Sequence, residues 1–213
     1  MAQVRGVSPG NLRYLDFLAA GILAQSVLFV AIFYGISAIW ERDLGVLQRY
    51  LVSPAPRSAL VAGKALSASV RALSQAFIVY LLAVALGVGI DLNPVKIMGV
   101  VAIIAMGSAL FSTFSLIIAC IVKTRERFMG IGQVLTMPIF FASNAIYPLS
   151  LMPDWLRLVS HFNPLTYQVD ALRALMLEAG VSDYGVFVDF GVLTATTFVL
   201  TAIAARMYAR MGY

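Results

Sequence analysis

The chain has 213 residues, 61% of them hydrophobic and 12% charged, with a mean hydropathy of +0.91. This composition excludes a water-soluble globular domain, and solid apolar blocks without alternation exclude a membrane β-barrel. The net charge of +5 comes from arginines near the ends of apolar runs, a pattern of topology and lipid contact rather than of nucleic-acid binding.

In chain order, the elements predict an all-α polytopic membrane protein of about five spans, one domain over residues 1–213. Residues 1–15 are a polar lead-in without the apolar core of a cleavable signal peptide. The first span is expected over 16–40, with Trp40 at an interface. The stretch ERDLGVLQRYLVSPAPRSALVAGK follows. In it Leu44, Leu47 and Leu51 recur at helical spacing, with Gln48 and Arg49 on another face, which predicts a short amphipathic helix. Pro54 and Pro56 end it, and Ser58 is placed to cap the next helix. By composition alone this is an ordinary solvated loop.

The second span is expected over 58–89. Lys64, Ser67, Arg71, Ser74 and Gln75 form a polar stripe along it. Lys64 is read as lying outside the lipid, whereas Arg71 and Gln75 are read as facing the bundle interior or a wet cavity, because such groups are costly against lipid. Asp91, Asn93 and Pro94 make a turn, and the third span covers 95–122. The charged loop KTRER occupies 123–127. A fourth span starts at Phe128 and is interrupted by Pro138, with Gly130 and Gly132 permitting close helix contact.

Residues 138–173 are broken by Pro138, Pro148, Pro153 and Pro164 into pieces too short to span, which suits re-entrant or interfacial helices packed on protein. Pro153 and Asp154 start a short helix carrying Trp155. Asn163 and Pro164 are an N-cap and first-turn pair. Beyond them Leu165, Val169, Leu172 and Met176 form one apolar face with Gln168 and Arg173 elsewhere, the pattern of an interfacial amphipathic helix. Asp170 and Arg173, three apart, are placed to pair. The last span covers 185–205.

Placing the loop at residue 41 inside puts nine of the fifteen basic residues inside and five outside, with Arg71 within a helix. That bias supports the orientation, with the C-terminus cytoplasmic and the N-terminus outside if the chain is complete. Enzyme chemistry is not apparent. The chain has no G-x-x-x-x-G-K-[ST] loop to cradle ATP phosphates, no H-E-x-x-H, one cysteine (Cys120) and one histidine (His161). Ser160 beside His161 is an adjacency, not a dyad.

Two motifs carry a resemblance. The order ER-x-x-G-x-L-x-R, then P-x-P-R, then G-K, resembles the first cytoplasmic loop of the type-2 ABC transporter permeases, the membrane subunits of ATP-driven exporters. The segment YPLSLMPDWLRLVSHFNPLTYQVDALR resembles the signature of the same family through Pro148, Leu149, Pro153, Trp155, Leu156, Asn163, Pro164, Tyr167, Asp170 and Arg173. The wording is most similar to the daunorubicin-type drug-resistance exporters.

The resemblance implies a coupling loop at 41–57, with Glu41, Arg42, Leu44, Leu47, Arg49, Leu51 and Arg57 engaging a separate nucleotide-binding subunit. ATP and magnesium would sit on that partner and no cofactor on this chain. It also implies an external broken-helix region at 138–176, a second permease copy as a homo- or heterodimer partner, and a prokaryotic plasma membrane as location. Members usually have six spans after an amphipathic helix, so the resemblance implies that the N-terminal helix and first span are missing here. The alternatives are an ion-coupled carrier, which would show relay residues at midspan, of which Arg71 is almost the only candidate, and a membrane-embedded enzyme, against which the lone His161 argues.

Overall fold

The computed structural model describes residues 14–46, 57–122 and 124–208. Among them are eight α-helices and one 3-10 turn. We label the helices α1 (Tyr14–Tyr34), α2 (Ile36–Asp43), α3 (Arg57–Ala85), α4 (Pro94–Ile121), α5 (Arg125–Phe141), α6 (Asp154–Phe162), α7 (Pro164–Met176) and α8 (Val186–Tyr208); the 3-10 turn is Leu149–Leu151.

Among the described residues, four helical stretches are long and apolar enough to cross a bilayer: Tyr14–Asp43, Ala59–Ala85, Pro94–Ile121 and Val186–Met207. The expected fourth span is different. Its helix α5 has 17 residues, or about 26 Å at ~1.5 Å rise, short of a ~30 Å hydrocarbon core. It nevertheless runs along most of α1. Phe128 near its start packs where Gly35 leaves α1, and the turn after its end brings the Ala145 backbone against Gly21. The irregular turn completes what the helix is too short to do.

Helix α4 is the central element and packs on α1, α3, α7 and α8. It is apolar on all sides, as a buried helix must be, and Ile103, Leu110 and Phe111 are fully enclosed. Lipid tails are as apolar as leucine, so close packing and interhelical hydrogen bonds hold such a bundle rather than removal from water. The outer helices α3 and α8 keep large apolar side chains exposed, Phe77 and Phe198 among them.

Chain-reversal signals set the ends. Gly87 (φ +72°) follows α3 as a left-handed cap: the Val88 N–H reaches back to the Ala83 carbonyl at 3.1 Å and its own N–H to Val84 at 3.0 Å, the double bond of a Schellman stop. The second span therefore ends at Ala85, earlier than expected. Helix α3 starts at Arg57, so Ser58 falls inside its first turn and not at the cap. Asn93 caps α4, accepting from the Val95 N–H at 3.0 Å with Pro94 in the first turn. The KTRER loop is shorter than expected, because Arg125 already opens α5 after an extended Thr124; Glu126 in that first turn suits the helix dipole.

Candidate functional site

Two polar regions lie at opposite ends of the bundle. The first gathers where α2 ends and α3 and α5 begin. Gly35 separates α1 from α2 because a side chain there has no room: a Cβ would meet Ser115 Oγ at 2.0 Å and the Phe128 ring at 2.9 Å. The Ser115 hydroxyl donates to the Ile32 carbonyl across this crossing. Helix α2 then stops at Gly45 (φ +70°), whose N–H bonds the Arg42 carbonyl at 3.0 Å.

Charges tie this corner to its neighbours. Lys64 Nζ of α3 lies 2.7 Å from Glu41 Oε2, both atoms shielded from solvent, in a contact of charges rather than a directed hydrogen bond. Asp43 accepts from Arg125 of α5 at 3.0 Å, and the Arg125 guanidinium sits 3.9 Å over the Trp40 ring. The exposed Asp43–Arg125 pair and the Arg125–Trp40 contact contribute only about 0.2–1 kcal/mol each, and with the shielded Glu41–Lys64 pair they bind α2 to two other helices. Arg42 lies 3.9 Å from Asp43, and Leu44 is 69% exposed. Leu47, Arg49 and Leu51 lie outside the described residues, as does the side chain of Arg57; so does the expected amphipathic helix.

Arg71 is exposed, not enclosed in the bundle. It borders an open cavity of about 480 Å³ with Tyr34, Trp40, Glu41 and Leu44, and its guanidinium lies 5.2 Å from the Tyr34 ring centroid. Gln75 is half-buried one turn further along α3. Lys64, read from sequence as lying clear of the lipid, is half-buried against Glu41.

The second region is built from the signature residues. Pro148 precedes the 3-10 turn and Pro153 precedes α6. Arg157 clasps that turn, donating to the Leu149 and Met152 carbonyls at 3.1 and 3.2 Å, while Trp155 is exposed. Asn163 does two jobs. Its Oδ1 accepts from the Leu165 N–H at 3.0 Å, with Pro164 in the first turn of α7, and its Nδ2 donates to the Ile139 carbonyl at 2.6 Å. Ile139 is in the last turn of α5, where carbonyls lack helical partners. One side chain thus closes the end of α5 and the start of α7.

Helix α7 corrects the sequence reading. It does not lie at an interface with a wet face; α1, α4 and α8 pack around it, and Gln168, Asp170 and Arg173 are buried along with Leu165, Val169, Leu172 and Met176. Asp170 and Arg173 take other partners than each other. Arg173 donates to the Asn144 carbonyl at 2.8 Å and lies 3.8 Å over the Phe17 ring. Burial lowers its guanidinium to about 10, opposed by the Asp170 and Asp183 charges, so it stays protonated at neutral pH. Asp170 Oδ2 accepts from the Ser182 hydroxyl at 2.7 Å and the Tyr184 N–H at 3.1 Å. Tyr167 donates to the His161 carbonyl at 2.8 Å, and Tyr184 Oη lies 2.9 Å from His161 Nδ1.

Sequence reasoning missed Asp16, Asn144, Ser182 and Asp189. Asp16 and Asp189 are buried in the first turns of α1 and α8, and Asp16 accepts from the Gly89 N–H at 3.3 Å. An acid inside an apolar run was the available signal; the spans are less empty of ionisable groups than expected. Among the described residues no cluster of His, Cys, Asp and Glu could hold a metal ion.

A family model described as ABC-2 type transporter matches residues 3–177. Among curated relatives, a putative transport permease, ycf38, of Cyanophora paradoxa is 33% identical over 76% of this chain and 56% of its own length. The daunorubicin resistance ABC transporter permease protein DrrB1 of Streptomyces coeruleorubidus is 24% identical over 93% of this chain and 68% of its own. The probable multidrug ABC transporter permease YbhR of Escherichia coli is 28% identical over 88% of this chain and 51% of its own. The chain spans little more than half the length of most curated relatives it matches.

Proposed function

The chain belongs to the ABC-2 type transporter family, and we propose that it is the membrane-spanning permease part of an ATP-driven exporter whose nucleotide-binding subunit is a separate chain. The observation that carries this is the charged corner at the end of α2. Glu41–Lys64 and Asp43–Arg125 tie the end of α2 to α3 and α5, so a push delivered to the end of α2 would be felt by three helices at once. In this reading ATP and magnesium sit on the partner, and the lack of a phosphate-binding loop in this sequence supports that.

In this reading residues 41–57 are the coupling element. Leu44, Leu47 and Leu51 supply the seat, and Glu41, Arg42, Arg49 and Arg57 orient it by charge. An interface that moves each cycle depends on shape and a few charge pairs more than on area. The chain sits in a prokaryotic plasma membrane with this corner cytoplasmic and the signature region outside. Its substrate is drug-like, lipid or glycolipid; the relatives with daunorubicin and multidrug in their names support the first of these. The exposed apolar faces of α3 and α8 suit lipid and a second permease copy, identical or not.

The test is vesicle transport and substrate-stimulated ATP hydrolysis with the ATPase subunit supplied. Leu47→Asp combined with Arg49→Glu is expected to abolish coupled transport while membrane insertion stays normal. Full coupled transport from the well-inserted double variant would reduce the stretch to an ordinary loop. A carrier driven by an ion gradient would instead transport without any nucleotide.

A further inference from the structure

Ser182 sits between two carboxyl groups. Its Oγ lies 2.7 Å from Asp170 Oδ2 and 3.1 Å from Asp189 Oδ2, and it accepts from the Gly185 N–H at 2.7 Å. A hydroxyl has one hydrogen to give and two lone pairs to receive with. Gly185 occupies one lone pair, and the single hydrogen can point at only one carboxyl. With both aspartates ionised, the other Oγ···Oδ2 contact would set acceptor against acceptor, beside two side chains that are fully buried.

One added proton resolves the conflict. Asp189, as a carboxylic acid, donates to the free lone pair of Ser182 Oγ. Ser182 then donates to Asp170, which also receives the Tyr184 N–H and therefore carries the charge. Two donors on Asp170 Oδ2, against none from any other described group on Asp189 Oδ2, favour this direction. Every lone pair and hydrogen on the bridging hydroxyl is then used. We propose that Asp170, Ser182 and Asp189 form a proton-binding site at the junction of α7 and α8, holding one proton from the solvent at neutral pH.

Among the described residues the surroundings add negative charge and no close cation on Asp189. From α7 come Arg173, engaged with Asn144 and Phe17, and Tyr167. The connecting segment brings Asp183 and Tyr184. Desolvation and the Asp170 charge push the Asp183 carboxyl above the usual range, with Arg173 opposing. Desolvation, then Tyr167 and the three aspartates, push Tyr184 up to about 12. From α6 comes His161, held by Tyr184. Of the other elements packed on α7 and α8, α1 carries Asp16, bound to the Gly89 N–H, α4 carries Lys96, ion-paired with Asp91 at 2.7 Å, and α3 carries Tyr80.

The site ties the segment between α7 and α8 to both helices, so its proton acts as a latch. An acid that is held protonated by the fold stabilises it at low pH and ceases to do so as pH rises through its titration. The test uses the full chain in lipid nanodiscs, with infrared spectroscopy and thermal unfolding read across about pH 5 to pH 9. At neutral pH the wild type is expected to show the C=O stretch of a protonated carboxyl, shifted by isotope-labelled aspartate and lost at alkaline pH. Asp189→Asn, whose amide donates to Ser182 as the acid does, should lack the band and keep the acidic unfolding temperature at every pH, while the wild type declines. Absence of a protonated aspartate band from the labelled wild type would overturn the proposal, without need of a variant. So would an unfolding temperature that follows added sodium or calcium at fixed pH instead of pH itself, since a cation would then fill the gap.

Discussion

At the scale of single residues, glycine separates what a sequence displays from what packing uses. Gly130 and Gly132 are close together and invite a helix-contact reading. Yet nothing lies within 4 Å of a Cβ built at Gly130, and at Gly132 the nearest atom is Ile32 Cγ2 at an ordinary 3.6 Å. The glycines that permit close approach are isolated ones. A Cβ at Gly21 would fall 2.2 Å from the Ala145 carbonyl oxygen, and one at Gly107 would fall 2.3 Å from the Gln168 carboxamide. Backbone cannot step aside as a side-chain end can. Gly21→Ala is therefore expected to destabilise the fold by about 1–3 kcal/mol through overpacking. Gly130→Ala should be neutral, or stabilising by up to about 1 kcal/mol from helix propensity. Unfolding temperatures of the two variants in one detergent check this; equal losses would mean that α1 does not lie against the turn at Ala145.

At the scale of elements, the long apolar runs were legible because length and hydropathy alone specify a spanning helix. The caps at Asn93 and Asn163 were legible because their chemistry is local: an amide oxygen, a proline in the first turn, an N–H two residues on. Helix α7 was misread because its polar side chains are enclosed by other parts of the chain. Periodicity sees Gln168 and Arg173 as a wet face. It cannot see Asn144 arriving to receive Arg173, Ser182 and Tyr184 arriving at Asp170, or Gly107 making room for Gln168. The same limit hid the second role of Asn163. Losing a cap costs about 1 kcal/mol, and leaving the Ile139 carbonyl unpaired adds about 1 kcal/mol more. Asn163→Ala should thus lose about 2 kcal/mol. Asn163→Ser, which keeps the cap but loses the donor to α5, should lose about half of that. An Asn163→Ser variant as stable as the wild type in thermal unfolding would show that the Ile139 contact contributes nothing.

For the whole molecule, the decisive property is which end faces the cytoplasm. Arg42, Lys64, Arg125, Arg127 and Arg206 lie toward the corner formed by α2, α3, α5 and the end of α8. Lys96, Arg157 and Arg173 lie toward the signature region. Basic residues in short loops tend to be retained on the cytoplasmic side, so the first set supports the proposed inward placement of the corner. The two ends also differ in construction. The corner joins the shielded Glu41–Lys64 pair to an exposed Asp43–Arg125 pair that can exchange partners at small cost, as the proposed docking surface would require. The signature end is a buried network, in which each group removed leaves another unsatisfied. Thiol labelling in a Cys120→Ala background reads the orientation directly. Arg127 and Leu158 are both exposed and stand at opposite ends, so each accepts a cysteine without entering the core. A membrane-impermeant reagent added to intact cells is expected to modify Leu158→Cys and spare Arg127→Cys until the membrane is opened. The reverse pattern would place residues 47–56 outside, away from any cytoplasmic ATPase, and would end the coupling proposal whatever the transport assays gave.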